Sequence, residues 1–202
     1  KISTTRTVAT YFLPRIMRLF NSLHRNVQIQ LDICTNDQAI EAVIDARSDF
    51  AFAVDTPSYP NLVCRTLFTD ELIAVSRPTV FLAAGPDGLD FTDTIFLHRE
   101  KGSRTRITID EMIAANKIKV GQVLELADVE AIKSSVKAGI GVTILPAISA
   151  QEEIEAGALK GHRIFDGELT LRFDAIYRKS ESSPITRAFL SALVRSTKET
   201  GR

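Results

Sequence analysis

VQIQLDICTNDQAIEAVIDARSDFAFAV, residues 27–54, changes its hydrophobic period twice. Val27, Ile29, Leu31 and Ile33 alternate with Gln28, Gln30 and Asp32, the two-residue period of a half-buried strand. Thr35 and Gln38 stand at the spacing of a capping box, in which each side chain takes up a backbone N–H of the other. Ile40, Val43 and Ile44 follow on one helical face. Phe50 to Val54 is apolar throughout, as a strand covered on both faces is. Strand, helix and strand with short links make a βαβ unit, which predicts a parallel sheet.

Upstream, Lys1 to Thr4 reads as a short strand, and Val8, Phe12, Ile16, Leu19, Phe20 and Leu23 recur at helical spacing. Pro14 predicts a kink or restart in that helix. Downstream, Leu62 to Phe68 and Glu71 to Ser76 are two strands, the second leading out of the first domain. Val80 to Ala83 opens another sheet, and Gly85-Pro86-Asp87-Gly88 is a turn. A strand at Ile95 to His98, a polar loop at Arg99 to Arg106 and a helix at Ile107 to Asn116 follow, with Thr108 and Glu111 at capping-box spacing. Val120 to Leu126 is a strand. Asp128 then caps a helix with Val129, Ile132 and Val136 on one face and Gly139 as its stop. Ile140 to Leu145 is a strand, Ile148 to Ala156 a helix and Leu169 to Tyr177 a strand, and Ser183-Pro184 opens the last helix. The second βα series needs its own sheet. The expected organisation is residues 1–73 with 176–202 in one lobe and 74–175 in another. Each lobe is a mostly parallel sheet flanked by helices, with a ligand cleft between them at the strand C-termini.

Composition narrows the function. Lys+Arg and Asp+Glu each count 25, so the formal net charge is zero. A domain that grips nucleic acid by its phosphates carries a basic excess, so DNA contact is not expected of these residues. No apolar run reaches the length of a membrane span, and Lys1-Ile2-Ser3 reads as a strand rather than a signal peptide. Cys34 and Cys64 lie in no CxxC and near no His cluster, so no zinc or other cofactor is expected. They read as two buried strand thiols, with a redox pair as the alternative. His24, His98 and His162 are far apart and lack a catalytic constellation, and no phosphate-cradling glycine loop is present, so an enzyme is not expected. His98, at a strand end near the cleft, is the one histidine of interest.

Several stretches resemble, in order, the effector domain of LysR-type transcriptional regulators. They are Ile2-Ser3-Thr4-Thr5-Arg6-Thr7 with Phe12-Leu13-Pro14; Val27 to Leu31 leading to Asp49-Phe50-Ala51-Phe52-Ala53; Leu67 to Val75; Val136 to Pro146; and the tail from Ser183 to Leu193. The Thr-Thr-x-Thr opening is similar to the cysteine-regulon branch. The resemblance implies an α/β, two-lobed type 2 periplasmic-binding-protein-like fold, used in the bacterial cytoplasm to bind a small anionic effector. It implies a homodimer in which helix 8–23 packs against helix 128–138 of a second chain, a tetramer at full length, and no membrane contact. DNA would be bound only through a winged helix-turn-helix domain missing from this chain. The pattern departs from the family at Arg77-Pro78-Thr79-Val80, which runs straight on; at Val54, which supplies no clamping arginine; and at Ala127, where some relatives carry threonine. A solute-binding protein for transport of a small anion or amino acid is the alternative, and it would need an export signal upstream.

Thr4, Thr5 and Thr7 fall at a strand-to-helix junction, where free backbone N–H groups and hydroxyls suit an anion. On the residues alone, capping is the simpler role; the resemblance turns Thr5 and Thr7 towards binding. Thr35 and Asn36 form a second such junction, with the same alternative. Lys101, Gly102 and Ser103 form the matching loop of the second lobe, with Arg104 as further charge, and a solvated loop is the competing account. Ala127 and Asp128 open the next helix and face the cleft by family analogy.

Overall fold

The structure, a computed structural model, describes residues 1–80, 82–85, 88–164, 169–180 and 183–200. In chain order its elements are β1 (Ile2–Thr4), α1 (Arg6–Tyr11), α2 (Leu13–Leu23), β2 (Leu31–Ile33), α3 (Asn36–Ile44), β3 (Phe50–Val54), β4 (Leu62–Ser76), β5 (Ala83–Gly85), β6 (Gly88–Asp90) and β7 (Phe96–Arg99). There follow α4 (Arg104–Ala115), β8 (Val123–Leu126), α5 (Val129–Ala138), β9 (Val142–Pro146), α6 (Gln151–Glu155), β10 (Lys160–His162), β11 (Thr170–Arg178) and α7 (Pro184–Thr200). The chain forms two compact units, Lys1–Thr69 with Arg172–Arg202, and Asp70–Leu171.

In the first unit the strand order is β2-β1-β3-β11, with β4 beside β11. β1 runs parallel to β2 and β3, whereas β11 is antiparallel to β3, so the sheet is mixed where a mostly parallel one was expected. β3 is buried along its whole length, and its alternation sorts side chains by size. Phe50 and Phe52 meet Phe189 of α7, which also packs edge-on against Phe20 of α2. Ala51 and Ala53 take the other face, where Ala39, Ile40 and Val43 of α3 lie close. Ile44 was expected on that apolar face but is half exposed. The helix predicted from Val8 to Leu23 breaks at Phe12, and Pro14 sits in the first turn of α2, where its missing N–H costs nothing. β2 is shorter than the alternation from Val27 suggested: Leu31, Asp32 and Ile33 pair with Ile2, Ser3 and Thr4.

In the second unit the order is β4-β9-β7-β8, with β10 on β4. β7 is parallel to β8 and β9, and β4 is antiparallel to β9 and β10, so this sheet too is mixed. The two strands expected over Leu62–Ser76 are one. The strand expected at Val80–Ala83 forms at Ala83–Gly85 and pairs with β6; Phe81, Pro86 and Asp87 lie outside the described residues. α4 starts at Arg104, earlier than Ile107, so Thr108 is internal and donates back to the Arg104 carbonyl (3.3 Å) instead of capping. β8 and β9 start later than expected, after Gly121 and Gly141, where a Cβ would stand 2.2 Å from the Thr92 carbonyl oxygen and 2.0 Å from that of Ile95. The helix expected from Ile148 divides into a 3-10 turn, Ala147–Ser149, and α6. Asp128 caps α5 through the Ala131 N–H (3.1 Å), and Gly139 ends it at φ 84°. Among the described residues no helix is long and apolar enough to cross a membrane.

Candidate functional site

The first unit places two strand-to-helix junctions on adjacent parallel strands, β1 into α1 and β2 into α3. Thr4 is fully buried, and its hydroxyl donates to the Thr5 carbonyl (3.2 Å). Thr5 is the N-cap of α1 but makes no side-chain cap. Its backbone N–H donates to the Phe52 carbonyl (3.2 Å), and its Oγ1 is buried without a partner among the described residues. Capping is therefore not what Thr5 does. Thr7, also buried, is the second residue of α1.

At the second junction the hydrogen-bonding capacity is largely taken up. Thr35 and Gln38 form the reciprocal capping box: Gln38 N–H donates to Thr35 Oγ1 (3.3 Å) and Thr35 N–H to Gln38 Oε1 (3.1 Å). Asn36 is 9% exposed and clasps the end of β3, its amide donating to the Val54 carbonyl (3.1 Å) and accepting the Val54 N–H (2.7 Å). This role of Asn36 was not foreseen, since its partner stands 18 positions away.

The second unit repeats the arrangement on β7 and β8, again adjacent and parallel. Gly102 has φ +89°, and beyond its chain neighbours no atom of the described residues lies within 4 Å of where a Cβ would stand. Ser103 is the N-cap of α4 and its side chain does not cap. Lys101 is exposed, and Arg104 Nε is buried without a partner among the described residues. Beside them Arg99 is buried and grips Glu100 (2.7 and 2.8 Å), while Arg106 donates to the Arg99 carbonyl (2.7 Å) and to Glu125 (2.5 Å). Ala127 is exposed, and Asp128 is occupied by its cap.

The titratable residues have structural partners. His98 Nε2 lies 2.8 Å from Asp110 Oδ1; burial lowers the imidazole pKa, and Asp110 opposes that shift. His162 Nε2 lies 2.9 Å from Ser76 Oγ, and burial lowers its pKa as well. His24 ends α2 with its ring 4.7 Å from that of Phe20. The thiols are half-buried rather than buried, and Cys34 lies just past β2 rather than within a strand. Three strands, β1, β3 and β11, separate β2 from β4, which carries Cys64. At about 4.8 Å per strand that separation is far beyond disulfide reach. Burial raises both thiol pKa values, which disfavours the reactive thiolate. Among the described residues no three His, Cys, Asp or Glu gather as a metal site would require.

Comparison with known proteins places this geometry in context. The family model described as the LysR substrate binding domain matches residues 1–198. An uncharacterized HTH-type transcriptional regulator, YeiE, of Escherichia coli (strain K12) is 28% identical over 79% of this chain and 55% of its own length. The HTH-type transcriptional activator CmpR of Synechocystis sp. is 28% identical over 94% of this chain and 63% of its own. The chain thus spans between half and two thirds of these curated relatives. Among solved structures, the CcmR regulatory domain of Synechocystis PCC6803, in complex with 2-PG, superposes with a TM-score of 0.82 at 23% identity, covering 98% of this chain and 96% of that one. That likeness shows a shared fold, of the periplasmic-binding-protein-like type.

Proposed function

The chain belongs to the LysR substrate binding domain family, and from that premise we propose that it is the effector-sensing part of a bacterial transcriptional regulator. The regulator names of both curated relatives favour this reading over solute transport. The effector is a small anion. From the CcmR complex we carry over only that a small molecule is bound. Its first anchor is the β1–α1 junction, with Thr5 and Thr7 as donors beside Thr4. Thr35 and Asn36 hold the neighbouring junction in shape. Lys101, Gly102 and Ser103, with Ala127 and Asp128, are the corresponding set of the second unit.

The observation that carries this assignment is the Thr5 hydroxyl, buried, uncapping and unpaired among the described residues. Leaving such a group without a partner costs about 1–3 kcal/mol, which an acceptor on a ligand removes. Binding favours one conformation of the domain and so changes DNA binding by a helix-turn-helix region outside these residues. The protein works in the cytoplasm as a dimer, and as a tetramer at full length. α2 meets α5 of a second copy, and the exposed Leu23 and Ile33 of the first unit and Val123 and Leu124 of the second supply apolar area. No catalytic step is involved.

Calorimetry against small carboxylates, amino acids, inorganic anions and 2-PG tests the site. Thr5→Val keeps the shape and removes the donor, as does Thr7→Val. Each should weaken the effector found by about tenfold, the equivalent of one hydrogen bond of about 1.4 kcal/mol. Because Thr5 Oγ1 has no partner to lose among the described residues, Thr5→Val should not lower the melting temperature. Unchanged affinity in both variants would show that the effector is held elsewhere.

A further inference from the structure

The first unit holds a polar cavity lined by none of the residues proposed above. Beyond β3, Asp55 takes a positive φ of 47° and turns the chain. Thr56 and Ser58 then border a cavity of about 460 Å³, walled also by Cys64 and Thr66 of β4 and Arg172 and Asp174 of β11. Asp174 is 2% exposed, and its carboxylate is filled from within the unit. It accepts the Thr56 N–H (3.0 Å), the Thr66 hydroxyl (2.9 Å) and Arg172 Nε (3.1 Å to each oxygen). Arg172 Nη2 donates to the Thr56 carbonyl (2.7 Å). A carboxylate this deeply buried beside a guanidinium is a poor source of stability, because desolvation offsets the attraction. What the pairing does achieve is to fix the plane of the guanidinium and leave one edge free.

That edge is Arg172 Nη1, which makes no hydrogen bond among the described residues, on a side chain 44% exposed. Next to it, Thr56 is 3% exposed with its hydroxyl buried and unpartnered among the described residues. The Ser58 hydroxyl is exposed and engages no described neighbour. The charges leave no positive excess: Arg172 is matched by Asp174, and Asp55 accepts the Arg172 backbone N–H (2.9 Å) nearby. An anion therefore meets no net attraction, and a cation meets the guanidinium edge. We infer that this cavity binds a small uncharged polyhydroxyl compound, whose oxygens accept from Arg172 Nη1 and whose hydroxyls exchange hydrogen bonds with Thr56 and Ser58.

Titration of the isotope-labelled 202-residue chain with erythritol, followed by amide NMR, tests this. Saturable shifts at Thr56, Ser58 and Arg172 are expected. Thr56→Val and Ser58→Ala should each weaken them by about tenfold. Ser58 is exposed, so its variant reads binding even if the buried change at Thr56 disturbs the fold. Acetate, run in parallel, should leave these amides unmoved. Three results would each overturn the inference: no saturable shift with erythritol, equal binding by wild type and Ser58→Ala, or acetate moving the same amides more strongly.

Discussion

Replacing Asp70 by asparagine should stabilise the protein above neutral pH and do nothing to it in acid. Asp70 lies in β4, and its Oδ2 accepts the Ile148 N–H at 2.9 Å. Burial pushes its carboxyl up to about 6 from an ordinary 3.8, with Glu71 beside it acting in the same direction and the N–H bonds of Ile148 and Glu71 acting against it. The folded state therefore binds the proton more tightly than the unfolded chain does. A raised carboxyl of this kind is harmless below pH about 4, where both states are protonated. It becomes a growing penalty between about 4 and 6, and a constant one above. A shift of about two units corresponds to roughly 3 kcal/mol as an upper bound, at about 1.36 kcal/mol per unit. An asparagine amide at this position would keep an oxygen for the Ile148 N–H and carry no charge to desolvate. Allowing for screening and for the weaker neutral acceptor, Asp70→Asn should gain about 1–2 kcal/mol at pH about 7.5, a rise of several degrees in Tm, and nothing near pH about 3. Scanning calorimetry of both proteins across that range is the assay. The reasoning fails if the difference between them is independent of pH, or if the variant is the less stable protein on the alkaline side of neutrality.

Asn36→Ala strips both groups that serve Val54 and leaves its buried N–H and carbonyl unpaired. A loss of about 2–4 kcal/mol in chemical denaturation is expected, and a loss under about 0.5 kcal/mol would remove Asn36 as a latch. For the dimer, sedimentation of the wild-type chain should show a pair at micromolar concentration. Leu23→Glu, at an exposed position of α2, should shift it to monomer; a wild type that stays monomeric at high concentration excludes the contact.

The features legible in the sequence are those whose partners are close along the chain. The Thr35–Gln38 box, the Asp128 cap and the Gly139 stop each involve residues within a turn or so, and each forms as its spacing implies. The apolar run Phe50–Val54 needs only cover on two faces, which any α/β packing supplies. The misreadings share the opposite property. Lys160-Gly161-His162 has no strand character of its own and is a strand because Ala74, Val75 and Ser76 stand ready to pair. Val27 and Ile29 alternate at strand period yet lie outside β2, whose register pairs Leu31, Asp32 and Ile33 with β1.

The junction residues carry the same lesson into function. Thr5 and Thr35 occupy equivalent positions in the sequence, each a threonine between a strand and a helix. At the second junction Thr35 Oγ1 accepts the Gln38 N–H while Gln38 Oε1 accepts the Thr35 N–H; at the first, the Thr5 N–H donates to the Phe52 carbonyl and the Thr5 side chain makes no cap hydrogen bond. Among the described residues the Thr5 hydroxyl has no partner, and the surrounding structure buries it all the same. A group that the fold neither uses nor exposes costs stability unless a ligand completes it. That makes Thr5, rather than the better-bonded Thr35 or Asn36, the residue on which the effector reading stands or falls.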